Sequence, residues 1–350
     1  MLNQILEQFG INALNYQIEE YGSGLISNTW KISGEKDYIL QRINTDVFKQ
    51  PEAIAENLSK LQSYLNTQYP GYLFVAPLLA LNGSSLAINQ DGVFRLFPFI
   101  GNSTSIDSVT NYKQAYEAAK QFGKFTFLLK NFDASRLHDT ISSFHDLTLR
   151  YKEFEKACLD TTAAKLEQAK YAIGEINRHK NILSTYEELK HSGKLPVRVI
   201  HHDAKINNIL FDNDWNGICL IDLDTIMPGY FISDVGDMLR TYLSPANEDE
   251  KDLSKIVLDE QCFDAIYNGY LSEMGAELTA FEKDHFIYAG KFMIYMQALR
   301  FLSDYLNGDI YYHTSYEGQN LNRTNNQLTL LNQLIKLEEK IQSTNHSSIK

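Results

Sequence analysis

Between two long helical stretches lies an island that calls for extended backbone. "VRVI" (Val197–Ile200) is followed by the polar segment "HHDAKIN", then by "NILF" and "GICLIDLD", which meet across Asn216-Gly217. An Asn-Gly pair between apolar runs favours a hairpin, because both residues tolerate the left-handed backbone that matches strand twist. The polar segment holds Asp203 and Asn208, five positions apart. The plain reading is a hydrogen-bonded turn, since short polar side chains readily bond local backbone.

Before the island, residues 1–100 read mostly as strands. "GLISNTWKIS" and "KDYILQRI" flank the break "GEKD", and "SSLAINQDGVFRLFPFI" turns at Asp91-Gly92. One helix interrupts them: Pro51 suits a first helical turn, and Ile54, Leu58, Leu61 and Leu65 recur at helical spacing. From Asn111 onward the pattern is helical. "NYKQAYEAAKQFGKFTFLL" is one helix and Tyr151 to about His191 gives one or two more, with an irregular stretch between them that is long for a compact domain. After the island come helices in "SDVGDMLRTYL", "DHFIYAGKFMIYMQALRFLSDYL" and "NNQLTLLNQLIKLEEKI". The expected fold is α+β in two lobes. Residues 1–100 form a small antiparallel sheet lobe, 101–343 a larger mainly helical lobe, and 344–350 a flexible tail, with the junction near "FPFIGNSTS".

A chain of 350 residues has room for two such units, since single cores stop growing at ~250–300 residues. A net charge of −12 argues against a nucleic-acid partner, which would need Lys and Arg to neutralise phosphates. It leaves room for an anionic small ligand in a local site. No apolar run approaches the ~20 residues of a membrane span, and "MLNQILEQFG" lacks the basic start of a signal peptide. Cys158, Cys219 and Cys262 have no metal spacing and suit a reducing cytoplasm as small hydrophobes. The expectation is a cytoplasmic protein with no nucleic-acid, membrane or protein partner.

Asp203 and Asn208 acquire meaning from "CLIDLDT", which places Asp222 and Asp224 at the end of an apolar strand, where carboxylates are costly unless paired or holding a cation. An aspartate, an asparagine five residues on and an aspartate about twenty residues later is the order that protein kinases use for base and metal ligands. In that reading Asp203 accepts the proton of an attacking hydroxyl. Asn208 and Asp222 supply the hard oxygens that Mg2+ prefers.

"HHDAKINNILF…LIDLDT" resembles the catalytic segment of the aminoglycoside phosphotransferase and choline kinase superfamily. The resemblance implies a protein-kinase-like fold, ATP and Mg2+ as cofactors, and phosphorylation of a small-molecule hydroxyl. Nothing matches the "DFG" or "APE" of the protein kinases. Further segments, "YGSGLISNTWKI", "YILQRINTDVFKQPE", "FRLFPFI", "FHDLTLRYKEF", "DLDTIMPGYFISDVGDMLR" and "ALRFLSDYLNGDIYY", occur in that order between Tyr21 and about Gln327. Together they resemble the N-acetylhexosamine 1-kinases. That implies a small-molecule sugar substrate phosphorylated at its anomeric C1 hydroxyl, N-acetylglucosamine or N-acetylgalactosamine.

The remaining candidates follow from this frame. Gly24, in "GSG", with Asn28 and Thr29, would cradle phosphates, or the glycines form a plain turn and the side chains cap local backbone. "YILQRIN" has Gln41 where a strand lysine is expected, and alternation puts Arg42 on the opposite face. Arg42 is the candidate phosphate grip, paired to Glu52 or Glu56, or else an exposed arginine. Backbone groups around Phe97 and Phe99 would bind adenine, unless those rings are core. His145 and Asp146 would contact sugar hydroxyls, or Asp146 pairs with Arg150. The resemblance puts Arg300 and Tyr311 at the sugar; a local Arg300–Asp304 pair is the alternative. Lys205 neutralises the transferring phosphoryl group or faces solvent. Asp234, Asp237 and Arg240 read as structural, Asp237 holding His201 or the loop backbone. The histidines lack zinc spacing. Kinases for choline, homoserine, methylthioribose or an aminoglycoside, and a nucleotide- or sugar-binding sensor without catalysis, are the competing functions.

Overall fold

The structure, a computed structural model, describes residues 2–22 and 28–347. Helix α1 (Leu2–Gln8) is followed by β1 (Gln17–Glu20), β2 (Asn28–Ser33), β3 (Tyr38–Ile43), α2 (Pro51–Gln68), β4 (Ala87–Asn89) and β5 (Gly92–Pro98). The strands form one antiparallel sheet in the order β1-β2-β3-β5-β4. Both α1 and β1 escaped the sequence reading, being short and weakly periodic.

Register sorts this sheet into two unlike faces. Trp30, Leu40 and Leu96 share one face with Phe94, and Ile5 and Leu6 of α1 complete a small apolar core there. The opposite face carries Thr29, Gln41 and Arg95 in register across β2, β3 and β5. Gly92 closes the β4–β5 hairpin at φ 138°, and a Cβ there would lie 2.8 Å from Arg42 Nε. Thus Arg42 is exposed beside Gly92 on the α1 side of the sheet, away from Gln41.

Helix α2 belongs to the sheet lobe in sequence and to the helical lobe in packing. Its Ile54, Leu58, Leu61 and Leu65 are buried in the large core, where each contributes about 1.5–3 kcal/mol by leaving water. Asn57 locks the seam by donating to the carbonyls of His138 and Ile226 at 2.9 and 3.2 Å and accepting the His138 amide at 2.9 Å. Glu56 pairs with His138 at 2.8 Å and Lys60 at 3.5 Å, which corrects the expected Arg42 pairing.

The helical lobe opens with α3 (Tyr112–Leu128), capped by the reciprocal Asn111–Gln114 box. Then come α4 (Leu147–Asp160), α5 (Ala163–Gln168), α6 (Lys170–Arg178) and α7 (Asn181–Ser192), more helix than the sequence indicated. The irregular stretch ends early, because Asp146 caps α4. The island resolves into β6 (Arg198–Ile200), β7 (Ile209–Phe211), β8 (Gly217–Leu220) and β9 (Met227–Gly229). Strands β7 and β8 form the expected hairpin, while β6 pairs with β9. The lobe is completed by α8 (Phe231–Tyr242), α9 (Glu260–Met274), α10 (Ala280–Asp284), α11 (Phe286–Asn307) and α12 (Gln319–Ser347). Helix α11 ends at Gly308, φ 100°, as its Asn-Gly signal indicated. Helix α12 continues past residue 343 to Ser347. Cys219 and Cys262 are buried and Cys158 is half-buried. Among the described residues no helix is long and apolar enough to cross a membrane.

Candidate functional site

Strand β6 delivers the chain into the polar segment, and the buried carboxylate of Asp234 on α8 holds it there. Asp234 accepts the backbone amides of His201 and His202 at 2.9 and 2.7 Å. Burial pushes its carboxyl up to about 6, against the pull of those bonds and of His201. This is the support assigned above to Asp237, which instead binds Arg240 at 2.9 Å. His201 is fully buried; its Nε2 bonds Ile221 O at 3.0 Å and its Nδ1 accepts the Asp203 amide at 3.3 Å. Further pins are Tyr242 OH on Ala204 O at 2.6 Å and Thr225 Oγ1 on His201 O at 2.6 Å.

His202 sits at φ 66°, a left-handed conformation rare outside glycine. Its buried ring occupies the space above Gly229, where a Cβ would come within 2.6 Å of it. Burial holds the His202 imidazole down at about 4, so it is neutral at pH 7. The backbone turned by His202 presents Asp203.

Asp203 is held from two sides. Asn208 Nδ2 donates to its carbonyl and to Oδ2, each at 2.9 Å, and Lys205 Nζ lies 3.0 Å from Oδ1. Burial works to raise this carboxyl, but Lys205, His201 and the two hydrogen bonds outweigh it and keep it ionised below the usual range. The same pairing raises the Lys205 ammonium's pKa. The Ile221 amide donates to Asn208 O at 2.9 Å, which brings the end of β8 beside the asparagine. Asp222 follows in a left-handed conformation, φ 56°. Asp222 is exposed, yet desolvation by the surrounding protein, then the charges of Asp224 and Asp203, push its carboxyl up to about 7. Asp203, Lys205, Asn208 and Asp222 are therefore one electrostatic cluster.

Asp224 is satisfied from the other lobe. Arg95 Nη2 donates to its Oδ2 at 2.7 Å and Nη1 to Oδ1, while Nε and Nη2 bond Gln41 Oε1 at 3.2 and 2.9 Å. The sequence reading missed Arg95, although a lone arginine in the apolar run "VFRLFPFI" was the available signal. Thr29 Oγ1 lies 3.5 Å from Gln41 Nε2 on that same face. Asn28 is register-paired with Arg42 and so shares the other face. Gly24 lies outside the described residues. Phe97 stands under the Arg95 guanidinium at 5.0 Å, and Phe99 carries Lys31 at 4.2 Å over its ring. The Phe99 amide is spent on Asp37 O at 3.0 Å, so it is not the free donor expected for an adenine base.

A second cluster lies beside His202. His145 stacks on Phe144 at 4.4 Å, and its Nδ1 is 3.4 Å from His202 Nδ1. Burial, then the charges of His202 and Arg300, hold the His145 imidazole well below its usual range. The Arg300 guanidinium is surrounded by the rings of Phe144, Tyr311 and Tyr312 at 5.5–5.8 Å. It donates to Gln297 Oε1 at 3.3 Å. The alternative Arg300–Asp304 pair does not form, because Asp304 accepts the amides of Ile310, Tyr311 and Tyr312 at 2.8–3.0 Å. Asp304 thereby fixes the turn that carries Tyr311, which is 64 % exposed. Asp146 leaves the candidate set: its carboxylate caps α4 and binds Lys190 at 3.1 Å, while Arg150 goes to Glu153 at 2.9 Å.

Residues 17–260 match the model of the phosphotransferase enzyme family, APH. Three solved structures share the fold. An aminoglycoside phosphotransferase from Alicyclobacillus acidocaldarius is 14% identical with a TM-score of 0.66, over 97% of this chain and 96% of that one. A microcompartment-associated aminopropanol kinase is 16% identical with a TM-score of 0.63, over 97% of each chain. A spectinomycin phosphotransferase in complex with ADP and spectinomycin is 16% identical with a TM-score of 0.60, over 96% of this chain and 97% of that one. With more than half of its length under the family model and a two-lobed architecture like theirs, the chain belongs to the phosphotransferase enzyme family and is a small-molecule phosphotransferase.

Proposed function

We propose that this phosphotransferase moves the γ-phosphate of ATP onto a sugar hydroxyl, the anomeric C1 hydroxyl of N-acetylglucosamine or N-acetylgalactosamine. The observation that carries the acceptor class is Arg300. It is a cation framed by three aromatic rings, and its hydrogen bond among the described residues goes to the neutral Gln297. Such a site offers donors to hydroxyl and amide oxygens and an apolar wall to a sugar ring, and it repels an amine. The segment-by-segment resemblance to the N-acetylhexosamine 1-kinases supports the same acceptor.

The base and metal positions are consistent with transfer. Asp203 is ionised and held by Asn208 and Lys205, so it can orient an acceptor hydroxyl and take its proton as the O–P bond forms. Among the described residues no three His, Cys, Asp or Glu side chains form a metal cage. Asn208 spends its Nδ2 on Asp203, which leaves Oδ1 without a partner among the described residues and available to a cation, and Asp222 is an exposed carboxylate on the neighbouring loop. Two oxygen ligands with room for water and phosphate oxygens suit Mg2+. When bound, that ion neutralises charge on the β- and γ-phosphates. Lys205 lies at the Asp203 carboxylate and adds positive charge where the phosphoryl group transfers.

A second reading, an amine-bearing acceptor, rests on the names of the aminoglycoside, aminopropanol and spectinomycin enzymes that share the fold. A panel of N-acetylglucosamine, N-acetylgalactosamine, choline, ethanolamine and an aminoglycoside, read by coupled ADP release, separates the two. Turnover with the N-acetylhexosamines and an anomeric phosphate by phosphorus NMR is the expected result. Turnover with only the amines would replace this reading by the second. ATP binding with no acceptor turned over at any magnesium concentration would make the protein a sensor.

A further inference from the structure

Strand β3 carries Gln41 where a phosphate-gripping cation is expected, and the sheet register locates a cation on its neighbour. Gln41 pairs directly with Arg95 on β5, and directly paired residues project from the same face. From that position Arg95 crosses the lobe boundary and ends on Asp224, two residues beyond Asp222. Arg95 and Asp224 are each only 2 % exposed. A guanidinium withdrawn from water to this extent needs a firm reason, because desolvating both ions offsets much of their attraction.

The other cations of the sheet are committed elsewhere. Lys31 pairs with Asp37 at 3.2 Å and lies over Phe99. Arg42 is exposed on the opposite face. Arg95 alone among these three reaches the loop of Asp222, through its two hydrogen bonds to Asp224. Its bonds to Gln41 and Asp224 use Nε–H, both hydrogens of Nη2 and one of Nη1, fixing the guanidinium plane. Arginine has five such donors, so one Nη1 hydrogen remains.

Resting on the phosphotransferase reading above, we propose that Arg95 is the nucleotide-lobe cation that binds a phosphate oxygen of ATP. Gln41 and Asp224 act as its positioning residues. The role normally given to a strand lysine has moved one strand over, at the register-paired position, and the glutamine left behind now orients the arginine.

The test is calorimetric binding of Mg-ATP, Mg-ADP and adenosine to the full-length protein and its variants. For R95Q, ATP and ADP affinity should fall about tenfold to a hundredfold, the loss expected for a charge-assisted hydrogen bond, with adenosine affinity changed less than ~twofold. Adding Q41K to R95Q should restore about tenfold of the ATP affinity, because a lysine at 41 starts from the same face. R95Q that binds ATP like the wild type would overturn the proposal. Equal loss of ATP and adenosine would also overturn it, since that is the mark of a lobe staple without phosphate contact. Should R95Q not fold, R95K decides: it keeps the charge and loses the fork. A change of ~threefold or more in the ratio of ATP to adenosine affinity supports the assignment, and an unchanged ratio overturns it. Wild-type protein that binds adenosine and ATP equally weakly would instead overturn the phosphotransfer reading on which the proposal rests.

Discussion

Asn208 donates through one nitrogen to both the carbonyl oxygen and the carboxylate Oδ2 of Asp203, each at 2.9 Å. The bond to the carbonyl fixes the backbone of the residue whose carboxylate it also orients. Neither side chain can rotate without breaking the other's geometry, so candidate base and candidate metal ligand behave as a unit. D203N is expected to lower turnover ~10²–10⁴-fold, the usual worth of a positioned base, while ATP affinity stays within about twofold. Steady-state kinetics beside calorimetric ATP binding checks both halves. A near-normal rate in D203N would remove Asp203 from the base role.

Arg300 should act on the acceptor alone. R300M keeps the apolar stem against Phe144 and Tyr312 and removes the donors. The KM for an N-acetylhexosamine is expected to rise at least ~tenfold, with the KM for ATP unchanged, as one charged hydrogen bond would give. The acceptor-against-ATP comparison of KM is the informative one, because a folding defect would lower kcat without this asymmetry.

Asp234 gives the protein a calculable pH dependence. Burial raises its carboxyl to about 6 from an ordinary 3.8, so between those values the native state holds a proton that the unfolded chain releases. Stability contributed by this group is therefore fully present below pH 3.8 and is lost as pH rises through about 6. D234N cannot titrate, so the stability gap between wild type and D234N should be wider at pH 5 than at pH 7.5. Urea denaturation at the two pH values measures it. A gap that narrows toward acid would contradict the assignment.

Gly229 should tolerate no side chain. A Cβ would meet the buried His202 ring at 2.6 Å, and that ring is enclosed by Pro228 O, His145 and Phe144. G229A is expected to cost about 1–3 kcal/mol of stability, the usual penalty of overpacking. It should also slow turnover, because His202 sets the backbone from which Asp203 projects. Thermal melts and initial rates on one preparation test the pair of effects together.

Sequence alone determined what local patterning can encode. The β-type runs "GLISNTWKIS", "KDYILQRI" and "SSLAINQDGVFRLFPFI", the helical spacing of Ile54 to Leu65, and the Asn-Gly and Asp-Gly turns placed most strands, the α2 helix and the hairpin carrying Asp222. The interval from Asp203 to Asn208 and on to Asp222 was legible because one hairpin joins them within a short span. Tertiary structure decided whatever depends on contacts between distant segments. It put α2 into the helical lobe's core and gave the loop amides to Asp234 in place of Asp237. It used Asp304 on the turn of Tyr311 and left Arg300 without it. It also turned Arg42 away and brought Arg95 onto Asp224, 129 residues later in the chain. The physical reason is register: alternation tells which residues share a face of a strand, but only pairing between strands tells which face looks across the cleft.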